Sequence, residues 1–155
     1  MAGPVRALVA VLIVILAWPT AAGAKKRDRV PVKLLSLSAP AVKKGRRIIV
    51  PVVIFASVRG GYEKRICHFR PKLHADIMKA LQRRPIRIGN EAPEAPGRVG
   101  ARIVEAINRS LKAEIVFAVE LFFGKDKDIP RARRAEFDRK GGETCPPNWK
   151  LFRQR

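Results

Sequence analysis

Apolar residues recur with a period of two in some stretches of the chain and with a helical period in others. Residues 30–38 are partly β-branched and roughly alternate, which predicts a strand. Residues 46–58 are apolar on both faces, as in a central strand or one covered by helices. Residues 114–123 alternate most clearly. Their predicted buried face comprises Ile115, Phe117, Val119, Leu121 and Phe123.

Prolines and glycines mark the breaks between these strands. Residues 39–45 contain one of each, so we expect a loop there. Pro51 has no N–H to donate to a neighbouring strand. The strand at 46–58 should therefore lie at a sheet edge near Pro51 or contain a bulge there. Residues 62–69 fit a short strand or an irregular lead-in to a helix equally well.

Two stretches have the spacing of amphipathic helices. Pro71 suits the first turn of a helix that should end near Arg84. Its apolar stripe consists of Leu73, Ile77 and Leu81. Residues 97–111 show the cleanest helical pattern, and their apolar face consists of Val99, Ile103, Val104, Ile107 and Leu111. Between the two, residues 85–96 contain three prolines and are expected to form a surface loop.

The predicted order of elements is strand, strand, helix, helix, strand. Such an order is typical of an α+β domain, in which a small, mostly antiparallel sheet carries two helices packed on one face. We expect this domain to span residues 25–124. Residues 125–155 are polar and basic, which predicts a flexible tail, anchored at most by Cys145, Trp149 and Phe152.

Residues 1–24 have the features of a secretory signal peptide. Arg6 precedes an apolar run at residues 7–17, and small residues at 22–24 suit a signal peptidase that would cut after Ala24. The alternative is an uncleaved anchor, because about 17 apolar residues suffice to span a bilayer. The sequence therefore predicts an exported, periplasmic protein, and the alternative would keep it associated with the inner membrane.

Positive charge dominates the composition. The chain carries 33 Lys and Arg residues against 13 Asp and Glu residues, a formal charge of +20. Such a surface attracts anions. Because an exported protein rarely meets nucleic acid, we expect anionic lipid, envelope polymer or an acidic protein as the partner. The alternative is that the charge only keeps the chain soluble. The candidate partner-binding residues are two clusters, Lys43, Lys44, Arg46 and Arg47 in the first loop and Arg131, Arg133 and Arg134 in the tail.

The two cysteines, Cys67 and Cys145, both lie in the exported part of the chain. Thiols persist as disulfides outside the reducing cytoplasm, and two cysteines permit a single intramolecular bridge. We therefore predict a disulfide between them. It would close a long loop, for which the chain-entropy model gives a stabilisation of about 4 kcal/mol.

Few residues have the pattern of a catalytic or metal site. His68 and His74 are too far apart in sequence to resemble the paired ligands of a structural zinc site. Glu105 is placed to pair with Arg102 or Arg109 across a helical turn, and Glu120 is expected to face an arginine. We find no Ser-His-Asp set, phosphate-binding glycine loop or CxxC motif. The sequence thus favours a protein without catalytic residues, metal or cofactor.

The middle of the chain resembles the periplasmic domain of the flagellar basal-body-associated FliL family. The segments that carry the resemblance are VPVKLLSLS, RRIIVPVVIFASV, RPKLHADIMKALQ, GRVGARIVEAINRSLK and EIVFAVELFF, and together they cover Pro31 to Gly124. The fourth contains the isoleucine-asparagine step, Ile107 and Asn108, that is similar to one in the family.

This resemblance implies a non-enzymatic protein at the inner membrane that assembles around flagellar stator units and supports motor output. The expected partner is then a stator or basal-body protein, and a homo-oligomer is a further expectation. The alternative function is that of a cationic periplasmic module that binds anionic lipid or envelope polymer.

Overall fold

The computed structural model describes residues 28–89 and 96–146. The predicted signal peptide, Trp149 and Phe152 lie outside the described residues. The elements are β1 (Arg29–Lys43), β2 (Arg46–Arg59), α1 (Glu63–His68), α2 (Arg70–Arg83), β3 (Ile86–Ile88), α3 (Pro96–Leu111), β4 (Val116–Phe123), a 3₁₀ turn (Asp126–Asp128), α4 (Arg131–Arg139) and β5 (Glu143–Thr144).

The strands form a single sheet with the order β3-β1-β2-β4, in which β5 also pairs with β1. The long pairs β1–β2 and β2–β4 are antiparallel, and the short strands β3 and β5 run parallel to β1. Helices α2 and α3 lie on one side, which we call the helix face of the sheet; the opposite side is the outer face. The prediction of a mostly antiparallel α+β domain is therefore confirmed.

The β1–β2 hairpin is longer than the sequence suggested. The predicted loop at 39–45 was wrong, because β1 continues to Lys43 and only Lys44 and Gly45 form the turn. Both turn residues have positive φ, 50° and 72°, as hairpin turns of two residues require. Small buried residues explain the continuation: Ala39 and Ala41 pair with Val50 and Ile48 and extend the core.

Pro51 lies where the sequence placed it, beside a sheet edge. Its carbonyl oxygen accepts a hydrogen bond from the Gly124 N–H at 2.8 Å, so the carbonyl and the nitrogen of Pro51 point toward the β4 side of the strand. The ladder between β2 and β4 ends at Phe123, so the missing N–H of Pro51 removes no ladder bond. From Arg46 to Pro51 the β4 side of β2 is therefore an edge.

The core lies between the helix face and the two long helices. Its centre is formed by buried side chains on both layers, among them Leu35, Ile54, Leu73, Ile77, Ile103 and Ile107. Helix α3 approaches β4 very closely at Gly100. A Cβ atom there would lie 2.6 Å from the carbonyl oxygen of Val119, so only glycine fits without a shift.

The alternation predicted for β4 holds only in part. The register between β2 and β4 shifts next to Val58, where Val116 and Ala118 pair with consecutive residues of β2 and Phe117 is the extra residue. A bulge of one residue reverses the side-chain phase. As a result Val116 is buried, and Phe117 is turned out with 39% of its surface exposed.

Regular structure occurs in one region that the sequence left open between a strand and an irregular segment, and in one predicted loop. Residues 62–69 include helix α1, and β3 lies within the predicted loop at 85–96. Three residues were too short a run to identify from the pattern. Strand β3 forms because Ile86 pairs with Ala41 and becomes buried against the core.

The predicted flexible tail is corrected for residues 126–144, which form the 3₁₀ turn, α4 and β5. These elements cover the outer face, where the β2 side chains Val53 and Phe55 are apolar. Val53 is fully buried there, and Phe55 packs edge-on against Phe137 of α4 with ring centroids 5.5 Å apart. Composition alone concealed this role, because α4 contributes few apolar residues.

Asn108 joins the end of α3 to the start of β4. Its side-chain oxygen accepts hydrogen bonds from the N–H groups of Ile115 and Val116, at 3.1 and 3.0 Å. Its side-chain NH₂ donates to the carbonyl of Val116 at 2.8 Å. The amide thus satisfies three backbone groups beside an edge strand, where no neighbouring strand could do so.

We expect Asn108→Ala to lower the free energy of unfolding by about 2 kcal/mol, because it leaves partly buried backbone groups without partners. Urea denaturation of the full chain measures this. Asn108→Asp retains the acceptor but loses the donor, so its effect should be smaller. Gln82→Ala, at an exposed position of α2, is the matched control; an equal loss in Gln82→Ala and Asn108→Ala would contradict the role assigned to Asn108.

Candidate anion-binding site

Five basic side chains come together where the β1–β2 hairpin ends, and we call them the hairpin tip. They are Lys43, Lys44, Arg46, Arg47 and Arg87. The first four are the predicted loop cluster, which the structure places on the last paired residues of the hairpin and in its turn. The fifth comes from β3 and was missed. The three-residue alternation of this strand, Ile-Arg-Ile at 86–88, is too short to identify a strand, so the sequence pattern held no sufficient signal for Arg87.

Pairing across the strands determines which way these side chains point. Val42 pairs with Arg47 on one side and with Arg87 on the other, so all three lie on the outer face. Neighbouring strands are separated by about 4.8 Å, which puts the two arginine Cα atoms about 10 Å apart. Lys43 and Arg46 pair with each other on the helix face.

All five tip residues are exposed, and none of them forms an ion pair or a side-chain hydrogen bond in the part of the chain that the structure describes. No acidic residue occurs between Arg29 and Tyr62. Two such charges 10 Å apart repel each other by only about 0.4 kcal/mol in water. Several pairs of side chains at the tip repel each other in this way, however. An anion with several negative charges would relieve the combined repulsion. Added salt would screen the same interaction.

The second predicted cluster is used inside the molecule. Arg133 forms an ion pair with Glu120 of β4 at 2.7 Å and lies 5.7 Å from the centre of the Phe55 ring. Arg134 donates to the backbone oxygens of Ile129 and Asp126, at 3.2 and 2.7 Å. Arg133 thus fastens the tail to the sheet, Arg134 holds the start of the tail together, and Arg131 is exposed. Glu120 faces an arginine, as expected.

Residues 125–146, which we call the C-terminal strap, pass around the sheet from one edge to the other. The strap leaves β4 at its end, crosses the outer face as α4, and reaches the far edge as β5 beside β1. An ion pair of 2.9 Å between Lys33 and Asp126 holds its first part. At its end Arg70 donates to the carbonyl of Pro146 at 2.6 Å.

The two cysteines close this strap onto α1. The sulfur atoms of Cys67 and Cys145 are at bonding distance, their Cα atoms are 5.2 Å apart, and both residues are buried. Since 78 residues separate them in sequence, only the folded chain brings them together. The strap is therefore fixed at both ends, by continuity with β4 and by this pair.

The remaining candidate sites are small, incomplete or widely open to solvent. The widely open one is a surface depression of about 490 Å³ where α3 ends, lined in part by Asn108 and Lys112. Two cavities of about 140 and 190 Å³ flank Phe55, Arg133 and Phe137 beneath α4. Both are smaller than the roughly 300 Å³ typical of ligand pockets. Within the described residues, no three His, Cys, Asp or Glu side chains are grouped so that they could hold a metal ion. Glu105 pairs with Arg109, one of the two partners predicted for it.

Two ionisable groups on or beside the C-terminal strap have a pKa displaced from its usual value. A hydrogen bond from Lys140 holds the pKa of Glu136 below its usual value. Burial lowers the pKa of the Arg70 guanidinium. The first pair lies at the end of α4 in the strap, whereas Arg70 belongs to α2 and donates to the strap at Pro146.

Comparison of the chain with protein-family models, with curated proteins and with solved structures found no match. In the part of the chain that the structure describes, no helix has the length and apolar character needed to cross a membrane. Among the surfaces described above, the hairpin tip has the most concentrated unpaired charge.

We expect replacement of both cysteines by alanine to lower the free energy of unfolding by about 4 kcal/mol, because the unfolded chain loses a long closed loop. The backbone amides of residues 126–145 should also exchange with deuterium faster, while those of α2 and α3 stay protected. Urea denaturation and hydrogen exchange read by mass spectrometry measure the two effects.

Reduced wild-type protein is the control and should behave like this double variant. Unchanged exchange in residues 126–145 after loss of the disulfide would show that the strap does not depend on it.

Proposed function

We propose that this protein is a non-enzymatic module of the cell envelope that binds an anionic surface through the hairpin tip. One observation carries the proposal. Five exposed basic side chains, none in an ion pair or side-chain hydrogen bond with a described residue, lie together at the end of a fully paired hairpin. The other basic cluster named from the sequence is largely engaged within the fold, so the tip is the better candidate.

The hairpin suits this role because it holds the charges in fixed positions. The turn has only two residues, β1 pairs with β2 up to Lys43, and β3 supports β1 from the other side. A flexible loop would lose backbone entropy on binding, at about 1–2 kcal/mol per residue ordered. The paired strands have already lost that freedom on folding, so binding is preorganised.

A second candidate is a specific protein partner in the flagellar motor, as the resemblance to the FliL family implies. What supports it is the order of the main elements, because β1, β2, α2, α3 and β4 follow one another as the five resembling segments do. An acidic face on a stator protein would also be an anionic surface. The two candidates differ in salt sensitivity, since a packed interface depends less on screened charge.

We predict that changing Lys43, Lys44, Arg46 and Arg47 together to Gln weakens binding to dextran sulfate by about 100-fold or more, because each basic residue near an anionic surface contributes about 1 kcal/mol. Titration calorimetry at low salt measures this, and wild-type binding should weaken steeply as salt is added. The matched control changes Lys64, Lys112, Lys127 and Arg139 to Gln. It removes the same charge from exposed positions outside the tip.

Equal weakening in both variants would mean that total charge alone matters and would contradict a site at the tip. The protein partner is tested by affinity capture of the tagged full chain from cross-linked cells, at low and high salt. Stator or basal-body proteins that remain bound at high salt would favour the second candidate. Capture that disappears with salt would favour the first.

A further inference from the structure

An uncovered apolar patch adjoins the hairpin tip, and we call it the apolar stripe. It consists of Pro40, Val42, Ile49 and Pro51, whose side chains all lie on the outer face. Ile49 has 68% of its surface exposed, more than any other large apolar side chain among the described residues. Full burial of an isoleucine side chain is worth about 1.5–3 kcal/mol. This exposure is therefore unusual at the end of an otherwise well-packed sheet.

The stripe is exposed because the C-terminal strap stops short of it. On the outer face the strap covers the part of β2 around Val53 and Phe55, where Phe137 packs on Phe55. Ile49 lies four residues before Val53, which is about 13 Å along an extended strand. No described element reaches that far, so the outer face is covered in its middle and bare near the turn.

Charge and apolar surface meet on this bare part. Arg47 and Arg87 flank Val42, and the next outward pair along the strands is Ile49 with Pro40. The two rows are about 7 Å apart, since side chains on one face repeat every second residue. A ligand that covered the stripe would therefore also contact both guanidinium groups.

We infer that the anionic surface is a lipid bilayer, and that Ile49 enters the boundary between headgroups and acyl chains while Arg47 and Arg87 bind headgroup phosphates. The inference rests on the proposed function and names its ligand. A soluble polyanion offers charge but no apolar phase for Ile49. A bilayer of anionic lipid offers both negative charge and an apolar phase. The apolar phase begins a few ångströms below the headgroups, a depth that surface-bound protein segments reach.

The fold also limits how deeply the protein can enter. Helix α4 stands on the same outer face, and a helix with its side chains is about 10 Å thick. The sheet must therefore approach the bilayer tilted, with its tip foremost. Only Val42, Ile49 and their neighbours reach the acyl boundary, so the attachment is peripheral.

The test compares binding of the full chain to vesicles of phosphatidylglycerol mixed with phosphatidylcholine and to vesicles of phosphatidylcholine alone, by flotation. Wild-type protein should float only with the first. Ile49→Ser should weaken that binding about 10-fold, as expected for the loss of one buried aliphatic side chain. Its binding to dextran sulfate should be unchanged, because no charge is altered.

Phe117→Ser is the matched control. It removes another exposed apolar side chain, at the opposite end of the sheet, and should leave vesicle binding unchanged. Because Ile49 is exposed, its serine variant should fold normally, which the urea denaturation midpoint verifies. In Ile49→Trp, tryptophan fluorescence should shift further to the blue on adding phosphatidylglycerol vesicles than it does in wild-type protein.

Vesicle binding by Ile49→Ser equal to wild type would overturn the bilayer inference, as would equal binding to phosphatidylcholine alone. If wild-type protein bound dextran sulfate but not the anionic vesicles, the ligand would be a polymer; the proposed function would stand and this inference would fall. If Ile49→Ser instead lost a salt-resistant protein contact in the capture experiment and kept vesicle binding, a protein partner would replace the bilayer.

Discussion

The pairing of β1 with β2 is the interaction on which the rest of the structure depends. This hairpin forms the centre of the sheet, and the middle of its second strand, β2, is apolar on both faces, so each face needs a cover. Helices α2 and α3 bury the helix face around Ile54. The strap buries the outer face around Val53. Because the sheet must be covered on both sides, the C-terminal strap folds onto it although the strap has few apolar residues. The Cys67–Cys145 link at the far end of the strap adds the stability that so few apolar contacts do not supply.

The outer face is where structure and proposed function meet. The strap covers its middle and leaves both ends open. At one end Arg29 and Arg59 lie over the exposed ring of Phe117, with guanidinium carbons 4.7 and 5.7 Å from its centre. At the other end Ile49 has no such cover. The ring of Phe117 is thus partly covered by cation–π contacts within the molecule. The apolar stripe has no such cover, and we propose that a ligand covers it together with its flanking arginines.

Basic residues serve two purposes in this protein, and sequence spacing did not distinguish them. Arg133 and Arg134 resemble a binding cluster in the sequence, yet they meet Glu120 and the backbone oxygens of the strap. Lys43, Lys44, Arg46 and Arg47 resemble them in composition and meet no such acceptor among the described residues. The difference lies in the surroundings: acids and free carbonyls are available near α4, and the hairpin between Arg29 and Tyr62 contains no acidic residue.

The sequence by itself determined the elements whose period is long enough to read: α2, α3, most of β2 and β4, and the α+β class. It also identified the cysteine pair, since only one pairing of two residues exists. What only the tertiary structure decided were the features that depend on a neighbour across space. Strand β3, which adds Arg87 to the tip, forms against β1; the bulge at Phe117 depends on register with β2; and α4 is held by contacts with the outer face. The periodicity of a segment indicates which of its own side chains are buried. These three features depend instead on contacts with segments that are distant in sequence and adjacent only in the folded protein.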